Sequence, residues 1–476
     1  MTKFANGNFI NGEWYTEGDG SFLAVKHKYS GALIERIPQA NHKQMDLAIQ
    51  SAVKAFEVCR LWSAGQRLEL LEKLREKLRE NKSRMVDLII AEAGKPRVYA
   101  ETELERSLST LQFAIEACKQ FGGEVIPMDF ANGEGRKAFT NRFPIGVVAC
   151  ITPFNFPLNL LMHKVAPALA VGCTLVVKPP PQAPLSAFAL AEMMHEVGYP
   201  KGTINVLACD IPVAEQLVKD ERPKMLSFTG SDQVGWHLKS ICGKKKCVLE
   251  LGGNAAVLVD DGVNVADTAE KVAKGAYLYA GQICISTQRI FVHQAIFEAF
   301  KKELIQSIRK LKVGDPNEPD CWVGPIIDDK AFNRLKDWMK EAKEGGAEVL
   351  FGGNVVDESK RLMEPTLFSK TKPEMKIRSE EAFGPLAVLE AVQSFEEGLS
   401  DVNNSRYGLQ AGVFTNSLAH FKLAGDRLEV GGIIFNDIPG FRIDHMPYGG
   451  VKDSGMGKEG LKYSMREMTE ERLIVY

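Results

Sequence analysis

"GVVACITPFNFPLNLLMHKVAPALAVGCTLVVKPPPQAP" runs from Gly146 to Pro184. Two runs of β-branched and small apolar residues, GVVACIT and TLVVK, flank a segment of helix length. The pattern continues through TINVLA, MLSFTG, CVLELGG and AAVLVD to about residue 260. Strands alternating with helices predict an α/β fold built on a parallel, doubly wound sheet. Such sheets bind ligands at the carboxyl ends of their strands. Polar residues crowd those ends here. Asn155 follows the first run, Lys178 closes the second, Gly230-Ser231 follows the fourth, and Glu250-Leu251-Gly252-Gly253 follows the fifth.

Upstream, residues 43–121 read as helical, with Leu71, Leu74 and Leu78 at helical spacing and a break at Gly94-Lys95-Pro96. EVIPMDFANGEGRKAFTNRFP carries two extended runs around Asn132-Gly133-Glu134-Gly135, a hairpin signal. A second α/β pattern fills about 284–440, through RIFVH, FEAFKKELIQSIRKL, AEVLFGG and AGVFTN. The final EMTEERLIVY reads as an extended tail suited to a sheet edge in a partner subunit.

The chain's 476 residues exceed one compact core and predict two or three domains. With a net charge of −2 and no basic run longer than Lys244-Lys245-Lys246, nucleic acid is not an expected partner. No apolar run approaches the roughly 18–20 residues of a membrane helix. The start, MTKFANGNFINGEWY, lacks the layout of a signal peptide, so a cytoplasmic protein is expected. The nine cysteines include no CxxC pair, Cys242 and Cys247 being nearest, so no metal site is expected. Most read as small buried hydrophobes, Cys150 and Cys247 among them. Cys284 differs: it follows a Gly-Gln turn among small and polar residues.

Each candidate has a bland reading beside the chemical one. In MLSFTGSDQVG, Gly230 lets backbone approach a phosphate, Ser231 caps the helix or bonds that phosphate, and Gly235 permits close helix–sheet packing. The stretch is neither GxGxxG nor Walker A. Asn155, fixed between Pro153 and Pro157, is an Asx-turn residue or an amide donor to an oxyanion. Lys178 snorkels to solvent or sits over a ribose or phosphate. Glu250 is a strand-end surface carboxylate or a base. A cysteine hydrolase would need a histidine beside Cys284, and the eight histidines are scattered without a local signature.

Taken in order, PFNFP, VVKPPPQAP, FTGSDQVG, LELGGN, GQICIS, EEAFGPL and PYGGVKDSGMGKEG span residues 153–460, and this series resembles the aldehyde dehydrogenase superfamily. The resemblance implies a Rossmann-like cofactor domain (residues 1–121 and 144–249), an α/β catalytic domain (250–461) and a small β oligomerisation element (122–143 and 462–476). It implies Cys284 as nucleophile, Glu250 as base, Asn155 with the Cys284 N–H as oxyanion hole, and Lys164 in proton transfer near the thiol. NAD or NADP would lie on Ile151, Thr152, Pro153, Lys178, Phe228, Thr229, Gly230, Ser231, Gly235, Leu251, Gly252, Glu381 and Phe383. Substrate would meet Asn155, Phe156, Arg442 and His445. The expected reaction is oxidation of an aldehyde to the free acid by a homodimer or homotetramer.

Three departures refine this. Pro181 stands where NAD-preferring members often carry a glutamate, which opens the site to NADP. Phe154 replaces a common tryptophan. NDIPGFRIDHMPYGG resembles the branch with lactaldehyde, glyceraldehyde and phosphonate- or sulfonate-aldehyde dehydrogenases, so a short polar or hydroxylated aldehyde is expected. Arg442 would contact it, or else form a salt bridge to Asp444 or another acid. A CoA-acylating relative, which would lack a working Glu250 base, and a non-catalytic protein on the same fold are the alternatives.

Overall fold

The computed structural model describes residues 7–476, so the first six residues of the expected cofactor segment lie outside it. Five strands form the parallel centre of an eight-stranded sheet: Ile204–Val206, Thr174–Lys178, Val147–Ile151, Pro223–Thr229 and Lys246–Glu250, in that spatial order. Read in chain order this is 3-2-1-4-5, the doubly wound arrangement. Asn8–Ile10 extends one edge and Gly455–Met456 the other, both antiparallel. The sixth run of the alternation departs from the expected single sheet: Ala256–Val259 opens a second one. Gly252 and Gly253 sit at that crossing.

The second sheet has seven strands, in the order Glu348–Phe351, Thr366–Ser369, Leu386–Val392, Arg289–His293, Ala256–Val259, Gln410–Phe414 and Gly432–Phe435. All its pairings are parallel except that of Glu348–Phe351. Each sheet buries its own apolar core, as strands covered by helices require.

Four helices precede the first sheet's centre: His42–Cys59, Ala64–Glu80, Lys82–Ala93 and Arg97–Gln120. Leu71, Leu74 and Leu78 are fully buried, as their spacing predicts. Gly94 ends the third helix at φ 66°, and the chain restarts after Pro96. Helix Asn159–Val171 is buried along its whole length. Its N-terminus is held by Glu103, whose Oε1 accepts from Leu158 N (2.9 Å) and Asn159 N (3.1 Å). Glu103 is itself fully buried and paired with Lys95. That helix brings His163 and Lys164 inward.

Val125–Ile126 and Ala138–Pro144 pair antiparallel, as the hairpin signal predicts, and the tail Thr469–Val475 joins them. The tail thus pairs within its own chain first, from Thr469 opposite Pro144 to Val475 opposite Ala138. Its residues from Glu470 to Tyr476 stay exposed. Among the described residues no helix is long and apolar enough to cross a membrane.

Candidate active site

Strands Val147–Ile151 and Pro223–Thr229 are neighbours from which the chain continues to opposite sides of the sheet, so their carboxyl ends mark the switch-point crevice. Ile151, Thr152 and Pro153 leave one strand; Phe228, Thr229, Gly230 and Ser231 close the other. A Cβ on Gly230 would lie 2.6 Å from the Phe228 ring, so any larger residue would have to displace that ring. Ser231 is the N-cap of helix Asp232–Ile241 but makes no side-chain capping bond, and it is exposed. Gly235 packs on Leu251; a Cβ there would meet Leu251 Cδ2 at 2.3 Å. The Thr152 hydroxyl is buried with no partner among the described residues. Lys178 ends the adjacent strand, and burial lowers its pKa.

Gly252 and Gly253 face Glu381. A Cβ on Gly252 would sit 2.4 Å from the Glu381 carboxylate, and Gly253 N donates to Glu381 Oε1 at 2.9 Å. Burial pushes the Glu381 carboxyl up to about 7. Phe383 adopts φ 46°, unusual for an aromatic residue, and its ring meets Phe154 edge-on at 5.7 Å. Gln288 holds this loop through Ala382 N and Glu380 O. An unpartnered hydroxyl, glycine-lined walls and a free helix N-terminus fit a dinucleotide.

Cys284 lies beyond a turn with Tyr279, Ala280 and Gly281 all in the left-handed region (φ 49°, 55° and 67°). Two non-glycine residues there are strained, so the surroundings must hold the turn. Tyr279 donates to Ala93 O at 2.6 Å, and the buried Gln282 accepts from Ile327 N at 3.0 Å. Asn155, 3% exposed, donates from Nδ2 to Gln282 O at 3.0 Å, so it binds the thiol's own turn across 127 residues of chain. It is more than an Asx-turn residue, and the amide's second hydrogen is left for another acceptor.

The thiol of Cys284 lies 2.9 Å from the Tyr448 hydroxyl. Burial pushes its pKa up to about 11, with the Tyr448 hydrogen bond acting the other way. Glu250 sits close by: a Cβ on Gly449, next to Tyr448, would lie 3.0 Å from Glu250 Oε1. The surface reading of Glu250 fails, since it is 3% exposed and neither carboxylate oxygen has a partner among the described residues. Burial first, then the charge of Glu459, raises its pKa well above the usual range. A carboxyl so held is a stronger proton acceptor than an ordinary surface carboxylate.

Behind these groups lies a buried ionic cluster. Lys164 Nζ donates to Ser227 Oγ (3.0 Å), Thr229 Oγ1 (2.8 Å) and Glu459 Oε1 (3.1 Å). Arg442, its side chain 5% exposed, reaches Glu459 Oε2 at 3.3 Å and stacks 3.7 Å over the Tyr448 ring. Its Nε has no partner among the described residues. The acid that pairs with Arg442 is therefore Glu459, while Asp444 is held by Arg106 (2.6 Å) and His163 (2.8 Å). Phe156 lies under Lys95 Nζ at 3.6 Å and packs in the apolar cluster that includes Cys284. His445 stands apart, exposed and tilted against the Phe113 ring at 4.8 Å.

Residues 14–474 match the aldehyde dehydrogenase family. The chain belongs to that family. A 3-sulfolactaldehyde dehydrogenase of Priestia aryabhattai is 40% identical over 471 residues, covering 98% of this chain and 97% of its own. Among solved structures, the Physcomitrella patens aldehyde dehydrogenase 21 in complex with the reaction product succinate is 39% identical, at TM-score 0.95, covering 98% of this chain and 97% of its own. The Methanocaldococcus jannaschii glyceraldehyde-3-phosphate dehydrogenase GapN complexed with NADP is 34% identical, at TM-score 0.91, over 95% of this chain and 98% of its own. The enzyme is thus an oxidoreductase that oxidises an aldehyde to its acid with a nicotinamide cofactor.

In this aldehyde dehydrogenase the fold gathers Cys284, Glu250, Asn155, Lys164 and Arg442 from segments up to 287 residues apart (155 to 442). Sequence reading missed Tyr448, Glu459, Arg106 and His163. Tyr448 and Glu459 lie inside PYGGVKDSGMGKEG, where a tyrosine and a glutamate pressed among glycines were the available signal. Arg106 and His163 carried none, being ordinary residues of helical stretches. The enzyme's nine cysteines are all free; Cys247, expected to be buried, is half-exposed and lies 3.1 Å from Cys242.

Proposed function

We propose that the enzyme oxidises a short polar or anionic aldehyde to the free acid through a thioester on Cys284. The observation that carries this reading is the meeting of Cys284, Glu250 and Asn155 around Tyr448-Gly449 and the Gln282 turn. Cys284 adds to the carbonyl carbon, and the Asn155 amide with the Cys284 N–H stabilises the oxyanion that forms. When bound, the nicotinamide supplies the hydride acceptor that turns this adduct into a thioester. Glu250 then takes a proton from the water that attacks the thioester, and the acid leaves. Lys164, tied to Glu459, keeps the charge balance next to that base.

Residues 1–121 and 144–249 form the cofactor-binding domain in this reading, and 250–461 the catalytic domain. Ile151, Thr152, Pro153, Lys178, Phe228 to Ser231, Gly235, Leu251, Gly252, Glu381 and Phe383 hold the cofactor. With exposed Pro181 three residues beyond Lys178, no carboxylate repels a 2′-phosphate, and both NAD and NADP are accepted. Phe156 and the unpartnered Nε of Arg442 face the substrate's far end, with His445 at the rim. Relatives named for a sulfonated aldehyde and solved with a dicarboxylate product favour an anionic group there. Residues 122–143 and 462–476 join subunits into a homodimer or homotetramer, through the exposed tail and Val125.

The test is an aldehyde panel containing hydroxylated, anionic and unsubstituted three-carbon members, run with NAD and with NADP, with and without CoA. Reduced nicotinamide should form without CoA and fastest with the polar members. Turnover that requires CoA would replace this reading with acyl-CoA formation.

A further inference from the structure

One group that touches the thiol has no part in the scheme above. The Tyr448 hydroxyl lies 2.9 Å from Cys284 Sγ, shorter than most contacts to sulfur. We propose that Tyr448 is a catalytic residue that donates its hydroxyl hydrogen to Cys284 and stabilises the thiolate for attack. This rests on the reading of Cys284 as nucleophile.

The geometry supports a donor in that direction. A thiolate has no hydrogen, so once the Cys284 proton leaves to a solvent base the hydroxyl alone can donate. The Tyr448 ring carries the Arg442 guanidinium 3.7 Å above it, and a cation over a phenol makes the hydroxyl a stronger donor. The phenol stays protonated, because burial raises its own pKa well above the ordinary value. Position is fixed as well. Tyr448 N donates to Glu459 O at 3.0 Å and Glu459 N donates back to Tyr448 O at 2.7 Å, while the side chain is 4% exposed. The same glutamate side chain anchors Arg442, so donor and cation are held by one residue.

The contact also answers a difficulty. Burial alone makes Cys284 a poor thiolate, whereas the reaction needs the thiolate as nucleophile. A hydrogen bond from a rigid neutral donor opposes that burial without adding charge. After addition the sulfur is a thioether, a weak acceptor, and the hydroxyl is released.

The experiment is alkylation of Cys284 in the cofactor-free enzyme by iodoacetamide from pH 7 to 11, read by peptide mass, for wild type and Tyr448→Phe. Phenylalanine keeps the ring under Arg442 and removes only the hydroxyl. At each pH in this range the alkylation rate of Tyr448→Phe should be about threefold to tenfold below that of wild type. An unchanged rate, or faster alkylation, would mean that the thiol donates to Tyr448, and would overturn the proposal. Should Tyr448→Phe melt far below wild type, 3-fluorotyrosine at 448 serves instead. Its stronger donor should speed alkylation, and a rate that stays put or falls overturns the proposal equally. Failure of the nucleophile reading is separate: Cys284→Ala would then retain turnover, whatever the alkylation profile shows.

Discussion

At Glu250 the physics is a carboxyl with neither oxygen partnered among the described residues, raised by burial and by Glu459. Its base form therefore needs a higher pH than an ordinary carboxylate does, and is lost as pH falls. Single-turnover release of acid from the thioester should slow as pH falls, beginning above the usual carboxylate range, and Glu250→Gln should abolish that dependence along with most of the rate. Arg442 makes a different prediction. A charge-assisted bond is worth about 1.5–3 kcal/mol, so Arg442→Ala should raise KM for an anionic aldehyde about tenfold or more over that for a neutral one of equal length. Steady-state kinetics with the matched pair check this, and equal losses would confine Arg442 to its bond with Glu459 and its stack on Tyr448. These residues differed in how legible they were. Cys284 stood out because its neighbours are small and polar. Glu250 looked like a surface carboxylate, since nothing local shows that Gly449 and Gly455, some 200 residues on, close over it.

At the scale of elements, the proposed chemistry rests on the turn before Cys284 and the strand end at Lys178. Gly281 has φ 67°, and a Cβ there would lie 2.1 Å from Gly384 O. Gly281→Ala should lower Tm and cut Cys284 alkylation by an order of magnitude, whereas Gly262→Ala, with open space around it, should do neither. Pro181→Glu should shift the NAD-to-NADP ratio of kcat/KM about tenfold toward NAD, near 1.4 kcal/mol, because a carboxylate repels the 2′-phosphate. Measured ratios for both proteins decide it. The strands of the first sheet were plain from their β-branched runs and spacers. The assignment of AAVLVD to a second sheet was not, because its pattern matches the others and only the Gly252-Gly253 crossing separates them. The Gly-Gln turn was visible, but its left-handed Tyr279 and Ala280 were not, since tertiary bonds such as Tyr279 to Ala93 impose them.

Across the whole molecule, two parallel sheets meet where Gly252-Gly253 passes between them, and one strand of the later stretch, Gly455–Met456, returns to the first sheet. That return seats Tyr448, Gly449 and Glu459 against Cys284 and Glu250. Motifs spread over some 300 residues thus become one site, which is why their order along the chain was informative while their mutual contacts were invisible. In the proposed mechanism a thioester forms on Cys284 and is released through Glu250. The most direct measurement is rapid mixing of Glu250→Gln with aldehyde and cofactor, followed by mass analysis of the Cys284 peptide. The expected result is a fast burst of reduced cofactor near one equivalent per subunit, then slow turnover, with the acyl group on Cys284. First-turnover reduction as slow as the steady state, with no acyl adduct on Cys284, would contradict it.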